Sequence, residues 1–361
     1  MSVLLFFGPV PVSHVAQSAP VLVVEPGLTG VVVAKNAGAQ GELEQRIDRG
    51  IRRALHWLAA EQRPSGAWTA GEYGDSTAAT SLAILAFMAG GHVPDEGPYG
   101  RHITAGVEWV LNQQQPEGLL IGAESGHGPM YCHGIATLML AEVSGMVNPA
   151  QQDRCRKSLE SAVRLIIDAQ NYPRDSTHTG GWRYHPTSED SDLSVSAWQL
   201  LALRAAKDIG CDVPAENIDR AVAYIKRLHC ENGGGFGYMG NHGATVTRAG
   251  TGIVALEVCG QHRTHETMAA AQLILTRPLT IQEHYFYYGV YYCTVGMYKV
   301  GGEEWKTARP VLYETTLNLQ NPAGYWNPEA GSERRAGRVY ATTLSVLALG
   351  IEYEYLPIYQ R

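Results

Sequence analysis

The 361-residue chain has no closely spaced cysteine pair. Cys132, Cys155, Cys211, Cys230, Cys259 and Cys293 form no C-x-x-C, so neither a zinc ribbon nor a dense disulfide framework fits, and reduced core residues are expected. Charge is scarce as well. Only 17% of the residues are charged, the net charge is −7, and Lys and Arg are scattered along the chain. Without a basic field, no nucleic-acid partner is expected. No apolar run reaches the roughly 20 residues that a spanning helix needs, so no integral membrane segment is expected.

The first part of the chain lacks basic residues altogether. Met1 to Val33 holds no Lys or Arg and is broken by Pro9, Pro11, Pro20 and Pro26. Residues 1–42 therefore read as a leader, either a signal or a disordered segment. The missing basic start argues against a signal and the apolar runs argue for one, so an exported and a cytoplasmic location stay open.

What the chain does have is a repeat. Leu43, Ile47, Ile51, Leu55 and Leu58 recur at helical spacing, with Arg46, Asp48, Arg49, Arg52 and Arg53 on the other face, which describes a helix with one side in solvent. After a turn, Ser76 to Ala89 offers water no polar face and reads as a fully buried helix, with Asp75 placed to cap it. The same pair recurs at 102–115 with 130–146, 150–170 with 191–208, 215–229 with 246–259, 264–276 with 284–299, and 303–319 with 337–353. Six pairs predict an all-α fold over residues 43–361: an (α/α)6 toroid of six antiparallel hairpins, with an inner and an outer ring of helices.

The turns repeat in register with the helices. Gln62 to Trp68 and Gln320 to Trp326 share Q-x-x-x-G-x-W, Gln114 to Leu120 keeps the spacing with Leu for Trp, and Trp182 and Phe236 mark two further turns. Glycine permits a positive-φ bend, glutamine can bond backbone groups, and tryptophan covers the end of the hairpin. These are structural roles.

In such a ring the N-termini of the inner helices meet at one end of a central cavity. Residues at those positions are Asp75, Tyr131, His133, Asp190, Asp192, Arg248, His284, Tyr285, Tyr288, Arg338 and Tyr340. The positive helix ends also favour an anionic group there. The tyrosines from Tyr285 to Tyr292 cannot all face one way, because successive helical residues turn by about 100°. Those that face inward, with Trp198 and Trp182, would make an apolar, hydroxyl-dotted cavity suited to a hydrophobic small molecule.

Q-x-x-x-G-x-W repeated with helix pairs resembles the squalene cyclase and prenyltransferase superfamily. Met130 to Thr137, Gly181 to Tyr184, Asp192 to Trp198, Tyr285 to Tyr288 and Gly337 to Tyr340 resemble the single-toroid prenyltransferase and squalene oxidase repeat proteins of planctomycete-type bacteria. The resemblance implies a terpene cyclase-like protein that binds an isoprenoid or triterpenoid. Asp190-Ser-Asp192-Leu193 looks like the D-x-D-D motif of proton-initiated cyclases with its last Asp lost, which makes Asp192 the candidate acid and Asp190 and His133 its companions. Tyr131, Trp182, Trp198, Arg248, Tyr285, Tyr288 and Tyr340 are then candidate substrate-binding residues. The zinc-binding relatives use an Asp, a Cys and a His, but here Cys293 and His284 have no Asp-x-Cys partner and Arg338 to Tyr340 stands where His is expected. No D-D-x-x-D is present, and neither metal nor cofactor is expected.

Each candidate has a structural alternative. Asp192 stands where an N-cap belongs, and His133 suits a satisfied core hydrogen bond. A non-catalytic lipid- or peptide-binding toroid is therefore the rival reading. Polysaccharide processing is a third, which would need paired cavity carboxylates such as Asp75 and Asp192.

Overall fold

The structure is a computed structural model and describes residues 29–122, 128–329 and 331–360. The chain divides into two compact units, Met1–Gln45 and Arg46–Arg361. Of the first, the described part is helical from Thr29, earlier than the periodicity beginning at Leu43. The leader reading of residues 1–28 lies outside the described residues.

Twelve α-helices run in pairs among the described residues: α1 (Thr29–Glu61) with α2 (Thr77–Ala89), α3 (Gly100–Leu111) with α4 (Pro129–Val143), and α5 (Pro149–Asn171) with α6 (Leu193–Asp208). The remaining pairs are α7 (Ala215–Arg227) with α8 (Val246–Glu257), α9 (His265–Thr276) with α10 (Phe286–Val300), and α11 (Gly302–Leu317) with α12 (Gly331–Leu349). Side-chain pattern decides the ring to which a helix belongs. In α2 every residue but Ala78 is buried, whereas in α7 the buried set is Asn217, Ile218, Ala221, Tyr224 and Ile225, one stripe at helical spacing. The even-numbered helices pack each against the next, and α12 packs against α2, which closes the inner ring. The expected (α/α)6 toroid is the fold observed.

The turn glutamines join neighbouring hairpins. Gln62 Nε2 donates to Gly66 O in its own turn and to His102 O on α3, both at 2.9 Å. Gln114 bonds Gly118 O and Ser158 O, and Gln170 bonds Gly180 O and Asn217 O, in the same way. Gln320 bonds Gly324 O and reaches Gly50 O on α1, both at 2.8 Å, so the same amide contact closes the ring. Gly66, Gly118, Gly180 and Gly324 take φ of 93–105°, and a Cβ on any of them would stand 2.4–2.7 Å from a backbone oxygen of the next outer helix. Only glycine allows both the bend and the approach.

The turn tryptophans are anchored at both ends. Trp68, Trp182 and Trp326 are fully buried and donate Nε1–H to Leu58 O, Ile166 O and Thr316 O at 2.7–2.8 Å. Their backbone N–H groups donate to the hydroxyls of Thr80, Ser196 and Thr342 on the inner helices. The fourth turn departs from the pattern. It is a short hairpin of β1 (His229–Cys230) and β2 (Gly235–Phe236), and Cys230 occupies the place of the glutamine four residues before Gly234.

Two helix starts differ from expectation. Ser76, not Asp75, caps α2 by accepting from the Ala79 N–H; Asp75 instead lies 3.6 Å from Arg63 at the surface. The last inner helix starts early, at Gly331, and breaks at Gly337 (φ 86°), leaving a short arm before the helix proper. At the opposite end the tail seals the ring. Ile358 N–H donates to Glu142 of α4, the Tyr359 and Tyr291 hydroxyls pair, and Lys299 of α10 donates to Tyr359 O.

The closing contact carries a specific expectation. Gln320→Leu leaves the Gly50 and Gly324 carbonyls without their amide donor and should cost about 2–6 kcal/mol, at roughly 1–3 kcal/mol per unsatisfied group. Urea denaturation measures it; a loss below about 0.5 kcal/mol would show that the glutamine tie does not hold the ring.

Candidate functional site

A cavity of about 530 Å³ opens at the end of the ring where the inner helices begin. All six contribute: α2 through Ala79 and Leu82, α4 through Tyr131 and Ile135, α6 through Ser194 and Trp198, α8 through Arg248 and Thr251, α10 through Tyr288, and α12 through Glu333 and Tyr340. Small residues near the helix starts leave the space, and rings line it. Tyr184 and Tyr238, joined at 2.6 Å through their hydroxyls, complete one wall.

Of the candidates named from sequence, Tyr131, Trp198, Arg248, His284, Tyr285, Tyr288 and Tyr340 line this cavity. Trp198 stacks on Tyr291, centroids 5.7 Å apart, and meets Tyr292 edge-on. The tyrosine run therefore divides, with Tyr285 and Tyr288 on the cavity and Tyr291 and Tyr292 packed behind Trp198. Arg248 brings the guanidinium: it donates to Gly243 O, and its buried Nε has no hydrogen-bond partner.

Five candidates lie elsewhere. Trp182 is the turn anchor described above. Asp190 is half-exposed, paired with Arg183 Nη1 at 2.9 Å, and is not part of the cavity lining. Arg338 bonds Asn327 and lies over the Tyr325 ring. Asp75 is at the surface. His133 is fully buried, accepts at Nδ1 from Leu120 N–H at 3.0 Å and donates from Nε2 to Ala162 O at 3.1 Å. It stands in the place that Thr80, Ser196 and Thr342 take in the other turns. Burial lowers it to about 4, and with both nitrogens engaged it has none to offer a substrate.

Asp192 occupies an intermediate position. It is fully buried and caps α6, with Oδ1 accepting from Val195 N–H at 3.0 Å and from Ser194 Oγ–H at 2.8 Å. Oδ2 sits 3.3 Å from Arg183 Nε. Burial raises its pKa against the pull of those partners. The carboxyl does not itself line the cavity, but Ser194 Oγ is 2.6 Å from the Tyr131 hydroxyl, which does. A hydrogen-bonded chain of Tyr131, Ser194 and Asp192 thus leads from the cavity to the buried acid.

Glu333 was not among the residues singled out from sequence. It sits on the short arm of α12, 5% exposed, and its two oxygens accept from the Tyr287 and Tyr288 N–H groups at 3.2 and 2.9 Å. It thereby caps α10 from the neighbouring hairpin while lining the cavity. Burial raises it to about 7, against the lowering effect of those N–H groups and of the Tyr340 hydroxyl. Raised that far above the ordinary carboxyl range in an aromatic chamber, it can keep a proton where an ordinary glutamate has lost it, which suits a proton donor. Nothing in its immediate sequence signals this. Only the break at Gly337 turns the arm toward α10.

No protein-family model matches the chain, and no curated protein matches it. Solved structures do. The GH76A α-1,6-mannanase of Salegentibacter sp. aligns with a TM-score of 0.60 at 10% identity over 86% of this chain and 99% of that one. The type II terpene cyclase MstE of Scytonema, as a variant bound to geranylgeranyl dihydroxybenzoate, aligns with a TM-score of 0.56 at 13% identity over 88% and 99%. A further MstE variant, bound to merosterolic acid A, aligns at 0.54 and 15% over 85% and 97%. The likeness is one of fold. At these identities it establishes the toroid and leaves the chemistry to the residues of this cavity.

The Glu333 carboxyl sets a pH dependence with a definite sign. Below its ordinary value of 4.5 it is protonated in both the folded and the unfolded chain; as pH rises through 7 it must ionise against its burial. The stability it allows at low pH is therefore lost between pH 4.5 and 7, by about 3 kcal/mol. Glu333→Gln is neutral throughout and should lack this slope. Comparing wild type and variant by denaturation at pH 5 and pH 8 isolates it, because His133 titrates in both. Parallel curves would disprove the elevated carboxyl.

Proposed function

We propose that the protein takes an isoprenoid or triterpenoid molecule into the cavity and isomerises it by proton-initiated cyclisation. The observation that carries this reading is Glu333, a buried carboxyl on the cavity wall beside Tyr288 and Tyr340, raised by its burial to about 7 in a lining of aromatic rings, small apolar residues and scattered hydroxyls with Arg248 among them. The volume of about 530 Å³ falls within the roughly 300–1,000 Å³ usual for small-molecule sites. Solved toroids that hold a geranylgeranyl compound share the fold, which supports the substrate class.

In this reading Glu333 gives its proton to an alkene carbon, leaving a carbocation on the neighbouring carbon. The electron pair of the next double bond closes a ring, and a proton lost from the final cation returns to a carboxylate, so product and substrate are isomers. The faces of Trp198, Tyr288 and Tyr340 stabilise the cation electrostatically, by about 0.5–2 kcal/mol per ring. Asp192 acts at one remove, because Ser194 and Tyr131 connect it to the cavity and can return a proton. A polar head group on the substrate would meet Arg248 and the positive helix ends.

A second reading is glycan processing, favoured by the mannanase likeness and by the hydroxyls of the lining. One set of incubations separates the possibilities. Squalene, geranylgeranyl compounds and α-1,6-mannan are supplied to the purified protein, and products are read by mass spectrometry. Cyclisation should occur, fall at least ~100-fold in Glu333→Gln, as loss of a general acid does, and fall less in Asp192→Asn. Isoprenoid binding without turnover would leave a non-catalytic toroid, and mannan cleavage alone would replace the proposal with the second reading.

A further inference from the structure

The fourth turn lacks the glutamine that ties each of the first three turns, and the last, to the next outer helix. It nevertheless seats on that helix in the same manner, with Gly234 (φ 69°) so close to α9 that a Cβ would stand 2.8 Å from Ala269 O. At the place of the missing tie, among the described residues, His229 and Glu231 of the turn meet His265, the first residue of α9. One ligand atom from each of the three lies within 4.8 Å of the others. The two oxygens of Glu231 are shared out: Oε1 is 3.5 Å from His229 Nδ1 and Oε2 is 3.6 Å from His265 Nε2. Two ligands bound at about 2.0–2.2 Å to one tetrahedral ion stand roughly 3.4 Å apart.

His229 supplies the independent observation. Its side chain is 3% exposed, yet neither ring nitrogen has a hydrogen-bond partner. A buried imidazole with two idle nitrogens calls for an explanation, since buried polar groups are ordinarily paired. Phe236 meets the ring edge-on at 5.6 Å and fixes its plane, and His265 meets it at 5.5 Å. The other two ligands have side chains 73% and 75% exposed, so closing on an ion costs them little packing.

We infer that His229, Glu231 and His265 bind a divalent transition-metal ion of the zinc class, which links the fourth turn to α9 where the other turns use a glutamine amide. Two imidazoles and a carboxylate form a borderline donor set that suits zinc, nickel or copper and gives magnesium little. Three protein ligands leave a fourth position for water. The site is separate from the central cavity, since none of the three residues lines it. No metal was expected from the sequence, because the inner helices lack a zinc-ligand pattern, whereas this cluster joins an outer helix to a turn.

The test uses untagged full-length protein freed of metal by a chelator, then titrated with zinc chloride by calorimetry, with magnesium chloride as the control. Wild type should bind one zinc per chain and rise in melting temperature, with no response to magnesium. His265→Ala and Glu231→Gln, both at exposed positions, should keep the metal-free melting temperature and weaken zinc binding by at least ~10-fold. Absence of zinc binding by wild type would overturn the assignment. So would binding left unchanged in both variants, which would place the ion elsewhere.

Discussion

The structure depends on one recurring contact: a glutamine amide that donates at once to the carbonyl of its own glycine turn and to a carbonyl of the next outer helix. Gln62, Gln114, Gln170 and Gln320 each make it. A helix hairpin has one apolar side and cannot bury it alone, so its stability comes from its neighbours. The amide sets how closely neighbours approach and the glycine permits the approach, with φ near 100° and no Cβ to strike the facing carbonyl. When the sixth turn makes this contact with the first outer helix, the chain becomes a ring.

The ring in turn makes the cavity. Six inner helices start at one end, and the groups that satisfy their first N–H groups are gathered round the mouth. This explains why capping and chemistry compete for the same side chains. Asp192 caps α6 with one oxygen and faces Arg183 with the other, yet burial outweighs both partners and raises its pKa, and its access to the cavity is indirect. Glu333 also caps a helix, yet its arm crosses from another hairpin and exposes the carboxyl to the chamber. Its elevated pKa follows from that placement, because desolvation there outweighs the helix N-terminus.

The residues that became structural show where a local pattern misleads. His133 precedes the apolar body of an inner helix, beside Tyr131, and has the look of a base. It is held at both nitrogens: Nδ1 accepts from the Leu120 N–H, a group that a hydroxyl binds in the first, third and sixth turns, and Nε2 donates to Ala162 O. Trp182 belongs to the turn for the same reason that Trp68 and Trp326 do. By contrast Tyr131, Arg248, His284, Tyr285, Tyr288 and Tyr340 line the cavity, as their position at an inner helix start suggests, whereas Trp198 was singled out only as an aromatic ring.

The amino-acid sequence by itself determined the helices, their pairing and the identity of the turns, because amphipathic period, glycine and glutamine act over a few residues and repeat. It also determined which end of the ring would be lined with aromatics. Only the tertiary structure decided which side chains face inward, for that depends on contacts between hairpins far apart in the chain. Glu333 reaches α10 through a bend at Gly337, and His229, Glu231 and His265 converge from a turn and the next helix. Such convergence leaves no mark on local spacing, because the distances that matter are set by how the ring closes.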